Sequence, residues 1–185
     1  MNNRILVKDA RTAGLRPKAG DECEVGLLVL GKETIMRELT AIDLDVESYE
    51  QVFDTMGARF RKLGYVNDTY LPSIKKREAQ YPTALPVEPY PIAIPHTEAT
   101  AIIHPFIAPV RLRESVKWGD MSNPDNMFDV RLVFMLGFKD PGEHIELLQI
   151  LMYNFQKPEW VDGLFAATTE DELYDAVISM EWRSE

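Results

Sequence analysis

A single cysteine in 185 residues excludes an intramolecular disulfide, so stability must come from a packed core, and a reducing cytoplasm is the expected compartment. Basic residues are also in deficit. Twenty Lys and Arg against 30 Asp and Glu leave a net charge of -10, which opposes nucleic acid and anionic membranes and favours a basic partner protein. No apolar stretch approaches the roughly 20 residues needed to span a bilayer, and the first residues lack the charged-then-apolar pattern of a secretory signal. Metal-type cysteine pairs, internal repeats and low-complexity runs are missing, and only three histidines occur: His96, His104 and His144. Neither a metal nor an organic cofactor is expected.

The 45% hydrophobic content is enough for one good core, which predicts a single domain with an appendage. Residues 1 to about 40 carry mixed charge and one apolar run, Val25 to Leu30, that suits a strand. From Ser48 the pattern sharpens. Tyr49, Val52, Phe53, Met56, Phe60 and Leu63 fall at helical spacing, with Ser48 and Gln51 as a capping box and Gly64 as the stop. A shorter helix is predicted after Asp68, carrying Leu71, Ile74 and Lys75-Lys76-Arg77, and it breaks in the proline-rich YPTALPVEPYP. Ile92-Ala93-Ile94 then reads as a short buried strand. The runs AIIHPFIAPVRL and DVRLVFMLGF read as two more, the second buried on both faces, with WGDMSNPDN as a loop between them. Asp140 and Pro141 predict a helix start, with Leu147, Leu148, Leu151, Met152 and Phe155 as its apolar stripe. A last helix is expected near Thr169, with Glu172 as box partner and Leu173, Ala176, Val177 and Met180 buried. This order of elements is α/β.

Pro95 holds Ile94 extended, so His96 stands where the short strand runs out, at the kind of sheet end where α/β proteins leave a ligand crevice. Neutral imidazole is a competent nucleophile toward phosphorus: one nitrogen attacks while the other donates the hydrogen bond that fixes the tautomer. The competing reading of His96 is a polar strand end. His144 falls early in a predicted helix, where unpaired amides and the positive dipole end favour an anion. Against that, it precedes Leu147 and Leu148 and suits the edge of the core. His104, before Pro105, is assigned to surface or packing.

The stretch REAQYPTALPVEPYPIAIPHTEA resembles the active-site signature of the enzyme IIA proteins of the sugar phosphotransferase system, mannitol/fructose superfamily, most closely the galactitol-type branch. Arg77-Glu78, Pro82-Thr83-Ala84-Leu85 and Ile94-Pro95-His96 occupy the family's helix-closing pair, turn and I/L-P-H motif, and His144 in EHIELL matches its second histidine. KPEWVDGLFAATTEDEL is similar to the family's closing segment. The resemblance runs from about residue 39 to the end, which implies a IIA-like phosphotransfer domain over 39–185 with a central mixed sheet flanked by helices. Residues 1–38 are left as an N-terminal extension. Ala84 replaces the family's turn glycine and implies another turn geometry, or a neighbour carrying the bend, because alanine resists φ > 0.

What the resemblance implies is a cytoplasmic phosphotransferase with a phosphohistidine intermediate. His96 would take a phosphoryl group from the histidine phosphocarrier protein and pass it to a cysteine of a IIB partner, serving a membrane IIC component. His144, Arg77, Thr97 and the backbone of Glu143 are the groups expected to stabilise the phosphoryl oxygens. Ordinary roles compete for two of these: Arg77 as a solvated helix end and Thr97 as a turn cap. Phe106 and Met135 suit either an open partner-docking face or the core. Two other functions stand beside the carrier. One is a regulatory IIA-like protein, in which phosphorylation of His96 switches effector binding. The other is a metal hydrolase using His96, His104 and His144, disfavoured by their irregular spacing.

Overall fold

The computed structural model describes residues 31–182 apart from Pro124 and Asp140, and the side chains of residues 141–144 lie outside the described set. The expected strand at Val25–Leu30 and the Asp140 cap therefore fall outside it too. A mixed five-stranded sheet in the order β1-β4-β5-β3-β2 divides the molecule, with β1 at Ala41–Leu44, β2 at Ala84–Leu85, β3 at Ile92–Ala93, β4 at Phe106–Gly119 and β5 at Met127–Gly137. β4 and β5 pair antiparallel from Phe106 opposite Gly137 to Gly119 opposite Met127, and β3 lies parallel to β5, with Ile92 opposite Leu132. Ile35 adds a parallel bridge to Ile107 ahead of β1.

Alternation along the central strands assigns one core to each face. Phe106, Ala108, Val110, Val133 and Met135 meet α1 (Tyr49–Lys62) and α2 (Tyr70–Gln80) on one side. Ile107, Leu132, Phe134 and Leu136 meet α3 (Pro141–Phe155), α4 (Pro158–Ala166) and α5 (Glu170–Ile178) on the other. β5 is thus buried on both faces from Leu132 to Leu136, as its composition predicts.

Local chemistry sets the helix limits. The Ser48 hydroxyl accepts from the Gln51 amide, while the Gln51 side chain reaches past Ser48 to the Glu47 amide at 2.8 Å. At the other end Gly64 takes φ 81°. Its amide bonds the Arg61 carbonyl and the Tyr65 amide bonds that of Phe60, the paired pattern of a Schellman stop. α5 is capped as read, Thr169 accepting from the Glu172 amide at 3.1 Å.

Several elements differ from the sequence reading. Ala99–Ala101 is a 3₁₀ turn, so the strand read from AIIH begins instead at Phe106, after Pro105. Trp118 and Gly119 belong to β4, paired with Phe128 and Met127, and are not loop residues. α4, β1 and β2 are additional. Arg111, inside an apolar run, is buried and ties three elements together. Its Nη1 donates to the carbonyls of Leu164, Phe165 and Ala167 at the end of α4, and its Nη2 pairs with Asp43 of β1 at 2.9 Å. Cations favour helix carboxyl ends for the same dipole reason that anions favour amino ends.

Candidate functional site

Parallel pairing with β5 continues past β3. The Leu136 amide donates to the Pro95 carbonyl at 3.0 Å and His96 bridges Leu136, which sets the imidazole at the carboxyl end of the strand. The half-buried ring is held at both nitrogens. Nδ1 lies 2.9 Å from the Ile94 carbonyl, which can only accept, so Nδ1 carries the proton. Nε2 lies 3.2 Å from Arg77 Nη2, and a guanidinium can only donate, so Nε2 presents its lone pair. Two independent neighbours therefore select the same neutral tautomer, with the lone pair on Nε2.

Arg77 reaches the ring from the last turn of α2, where Nη1 donates to the Tyr81 carbonyl at 3.1 Å and the guanidinium lies 5.0 Å above the Tyr81 ring. Tyr81 itself is 58% exposed, an apolar surface beside His96 that sequence reasoning did not single out. Thr97 follows His96 directly, and its Oγ1 is buried with no hydrogen-bond partner among the described residues. The competing capping role is not seen: among the described residues no bond from that hydroxyl closes a turn.

The loop before β3 is built on a buried acid. Glu78 lies on the buried line of α2, one turn after Ile74 and two after Tyr70. Its carboxylate accepts from the Thr83 amide at 2.7 Å, from the Thr83 hydroxyl at 2.8 Å and from Trp118 Nε1 at 2.7 Å. Burial pushes this carboxyl above the ordinary range, and those donors together with Arg77 pull it back only in part. Thr83 in turn accepts at its carbonyl from the Ile94 amide at 3.3 Å. Pro82 packs on the backbone of Gly119, where a Cβ would stand 2.7 Å from the proline ring. Ala84 needs no left-handed backbone: it is extended in β2 opposite Ala93, and Asp43 is the sole non-glycine residue with positive φ among those described.

Glu143 and His144 fall in the first turn of α3, whose start at Pro141 follows closely on Leu136, the residue paired with His96. Their side chains lie outside the described set. His104 is apart from the site, its ring edge-on to Tyr65. Phe106 and Met135 are fully buried, so neither forms a docking face. Among the described residues no three His, Cys, Asp or Glu side chains converge to hold a metal, and no helix is long and apolar enough to cross a membrane.

Residues 33–180 match the family model for the phosphoenolpyruvate-dependent sugar phosphotransferase system, EIIA 2. The chain is 32% identical over 114 residues to the galactitol-specific EIIA component of Escherichia coli, covering 62% of this chain and 75% of that one. It is 29% identical over 136 residues to the mannitol-specific enzyme IIA component of Staphylococcus aureus, covering 71% and 86%. In fold it is similar to the enzyme IIA solved in complex with phosphorylated enzyme IIB of the Escherichia coli mannitol system, with TM-score 0.63, 22% identity, and 77% and 96% of the two chains covered. With the family model spanning most of its length and a galactitol-type relative alongside, the chain belongs to the EIIA 2 family of the sugar phosphotransferase system, whose IIA proteins are phosphotransferases.

Proposed function

We propose that this chain carries phosphoryl groups for a sugar or polyol uptake system on Nε2 of His96. The observation that supports this most directly is the double constraint on the imidazole, with Nδ1 on the Ile94 carbonyl and Nε2 facing Arg77. The Nε2 lone pair attacks the phosphorus of the histidine phosphocarrier protein, and the donor's P–N bond breaks with its electron pair returning to the donor ring. His96 keeps its Nδ1 proton on Ile94, so the phosphorylated ring is cationic and a good leaving group. A cysteine thiolate of a IIB partner then attacks phosphorus, and the electron pair of the N–P bond returns to Nε2. The complex that a similar IIA forms with a phosphorylated IIB supports a IIB protein as the partner on the acceptor side.

Transfer of this kind depends on position and charge stabilisation. Arg77 swings from Nε2 onto the phosphoryl oxygens, the Thr97 hydroxyl, without a partner among the described residues, donates a further bond, and His144 with the Glu143 amide completes the set from the first turn of α3. Residues 39–185 form the transfer domain, and residues 1–38 an extension to it.

Incubation with phosphoenolpyruvate, enzyme I and the phosphocarrier, followed by mass measurement in base, tests this directly. One acid-labile phosphoryl mass is expected on wild type, none on His96→Ala, and slower gain on His144→Ala. An unmodified wild type overturns the proposal. Chasing with a IIB protein separates carrier from switch, because a purely regulatory protein would retain its phosphoryl group.

A further inference from the structure

We propose that Glu78 is a positioning residue for the imidazole, acting through Thr83 and Ile94 to hold the carbonyl that selects the reactive tautomer of His96. Its consequence for transfer rate rests on the carrier reading above; its consequence for the tautomer does not.

Packing alone gives no reason for an acid at this place. Tyr70 and Ile74 precede Glu78 on the same buried line, and a leucine would complete the stripe at far lower desolvation cost. What the carboxylate supplies is an acceptor for three donors: the Thr83 amide, the Thr83 hydroxyl and the indole of Trp118. The amide and the indole have no acceptor capacity of their own, so an apolar side chain here would leave both buried and unpaired.

The bonds form a closed circuit around the nucleophile. Glu78 holds Thr83, the Thr83 carbonyl takes the Ile94 amide at 3.3 Å, the Ile94 carbonyl takes His96 Nδ1 at 2.9 Å, and His96 Nε2 meets Arg77 at 3.2 Å. Arg77 is bonded covalently to Glu78, which closes the ring. One residue step on α2 thus controls both nitrogens: Arg77 directly, and Glu78 through the loop. Antiparallel pairing of Ala84 with Ala93 keeps the loop and β3 in register while the carboxylate sets their depth.

The test compares wild type, Glu78→Gln and Glu78→Leu as full chains. Two readouts are taken: the His96 tautomer, from two-bond ¹⁵N–¹H correlation spectra, and the rate of phosphoryl uptake from the phosphocarrier. Wild type is expected to show the Nδ1–H form. Glu78→Gln keeps an acceptor for Thr83 and Trp118, and should keep that tautomer with uptake within about threefold. Glu78→Leu should show mixed tautomers and uptake slowed about tenfold to a hundredfold, the range expected when a reacting atom is misplaced by a fraction of an ångström to an ångström. If Glu78→Leu does not fold, Thr83→Val carries the test by removing the hydroxyl bridge, and a minor second tautomer is expected. An unchanged tautomer in folded Glu78→Leu, or in Thr83→Val where the leucine variant is unfolded, overturns the proposal. A wild type that takes up no phosphoryl group yet shows the predicted tautomer changes would sink the carrier reading and leave the positioning role standing.

Discussion

Arg77 Nη2 and His96 Nε2 lie 3.2 Å apart, so this cation reaches the imidazole from the last turn of a helix and not from the strand that delivers the ring. Removing it should cost transition-state stabilisation and leave the fold intact. Arg77→Ala is expected to slow phosphoryl uptake about a hundredfold to a thousandfold, the usual loss for a preorganised charge donor. Arg77→Lys should fall between, since an ammonium cannot bond Tyr81 and the phosphoryl group with one planar fork. Rapid-quench uptake kinetics read both, and equal rates in all three proteins would remove Arg77 from the mechanism.

Arg111 carries a different kind of weight. Its guanidinium satisfies the last carbonyls of α4 and binds Asp43, while nearly all of its own surface is buried. Arg111→Met should destabilise the chain by about 1–3 kcal/mol, the cost of leaving buried carbonyls without their donor, since Asp43 is about half exposed and is rehydrated. Urea unfolding measures this, and a loss below about 1 kcal/mol would mean that water takes over the carbonyls.

Glu78 predicts a pH dependence whose sign is fixed. Its carboxyl is raised in the fold above the ordinary 4.5, so over the window between those two values the folded chain keeps a proton that the unfolded chain has released. The group's contribution is therefore fully present below the unfolded value and is lost as pH rises through the folded one. Glu78→Gln removes that loss, so its stability relative to wild type should increase from pH 4.5 to pH 8. Paired urea titrations at the two pH values check it; a difference that shrinks with pH contradicts the assigned burial effect.

Gly119 lets Pro82 lie against the β4 backbone. Gly119→Ala puts a methyl 2.7 Å from the proline ring, so the Pro82–Leu85 segment must lift. The expected outcome is a several-fold fall in uptake rate, with the tryptophan emission of Trp118 altered. Normal kinetics with normal emission would show that the loop position is not critical.

Thr169→Ala tests the α5 cap by itself. Loss of the bond to the Glu172 amide should cost about 1 kcal/mol in urea unfolding and leave phosphoryl uptake unchanged.

The elements that could be read from the chain are those decided locally. α1 and α5 each carry a capping residue and a stripe within one segment, and α1 also a stop at Gly64, and they formed where the pattern put them. β1 and β2 are only four and two residues long, too short to show a period, and they exist because β4 and β3 offer them hydrogen bonds. Trp118-Gly119 followed by Asp120 reads locally as a turn, yet pairing across to β5 extends β4 through it. The place of His96 at a strand end was legible because Pro95 marks it. Its meeting with Arg77, 19 residues away, depends on how α2 packs on the sheet. Glu78 did carry a signal, an acid at the i+4 and i+8 positions of an otherwise buried line, and its partner Trp118 was hidden by the misread turn.

Because His96 is gripped at both nitrogens before any donor arrives, its orientational entropy is lost during folding and not at the moment of encounter. A phosphoryl donor of the kind proposed would then have only to bring its phosphorus into line. On the carrier reading proposed above, short-lived, loosely bound collisions would be enough, which would suit a molecule that has to release one companion before it can meet the next.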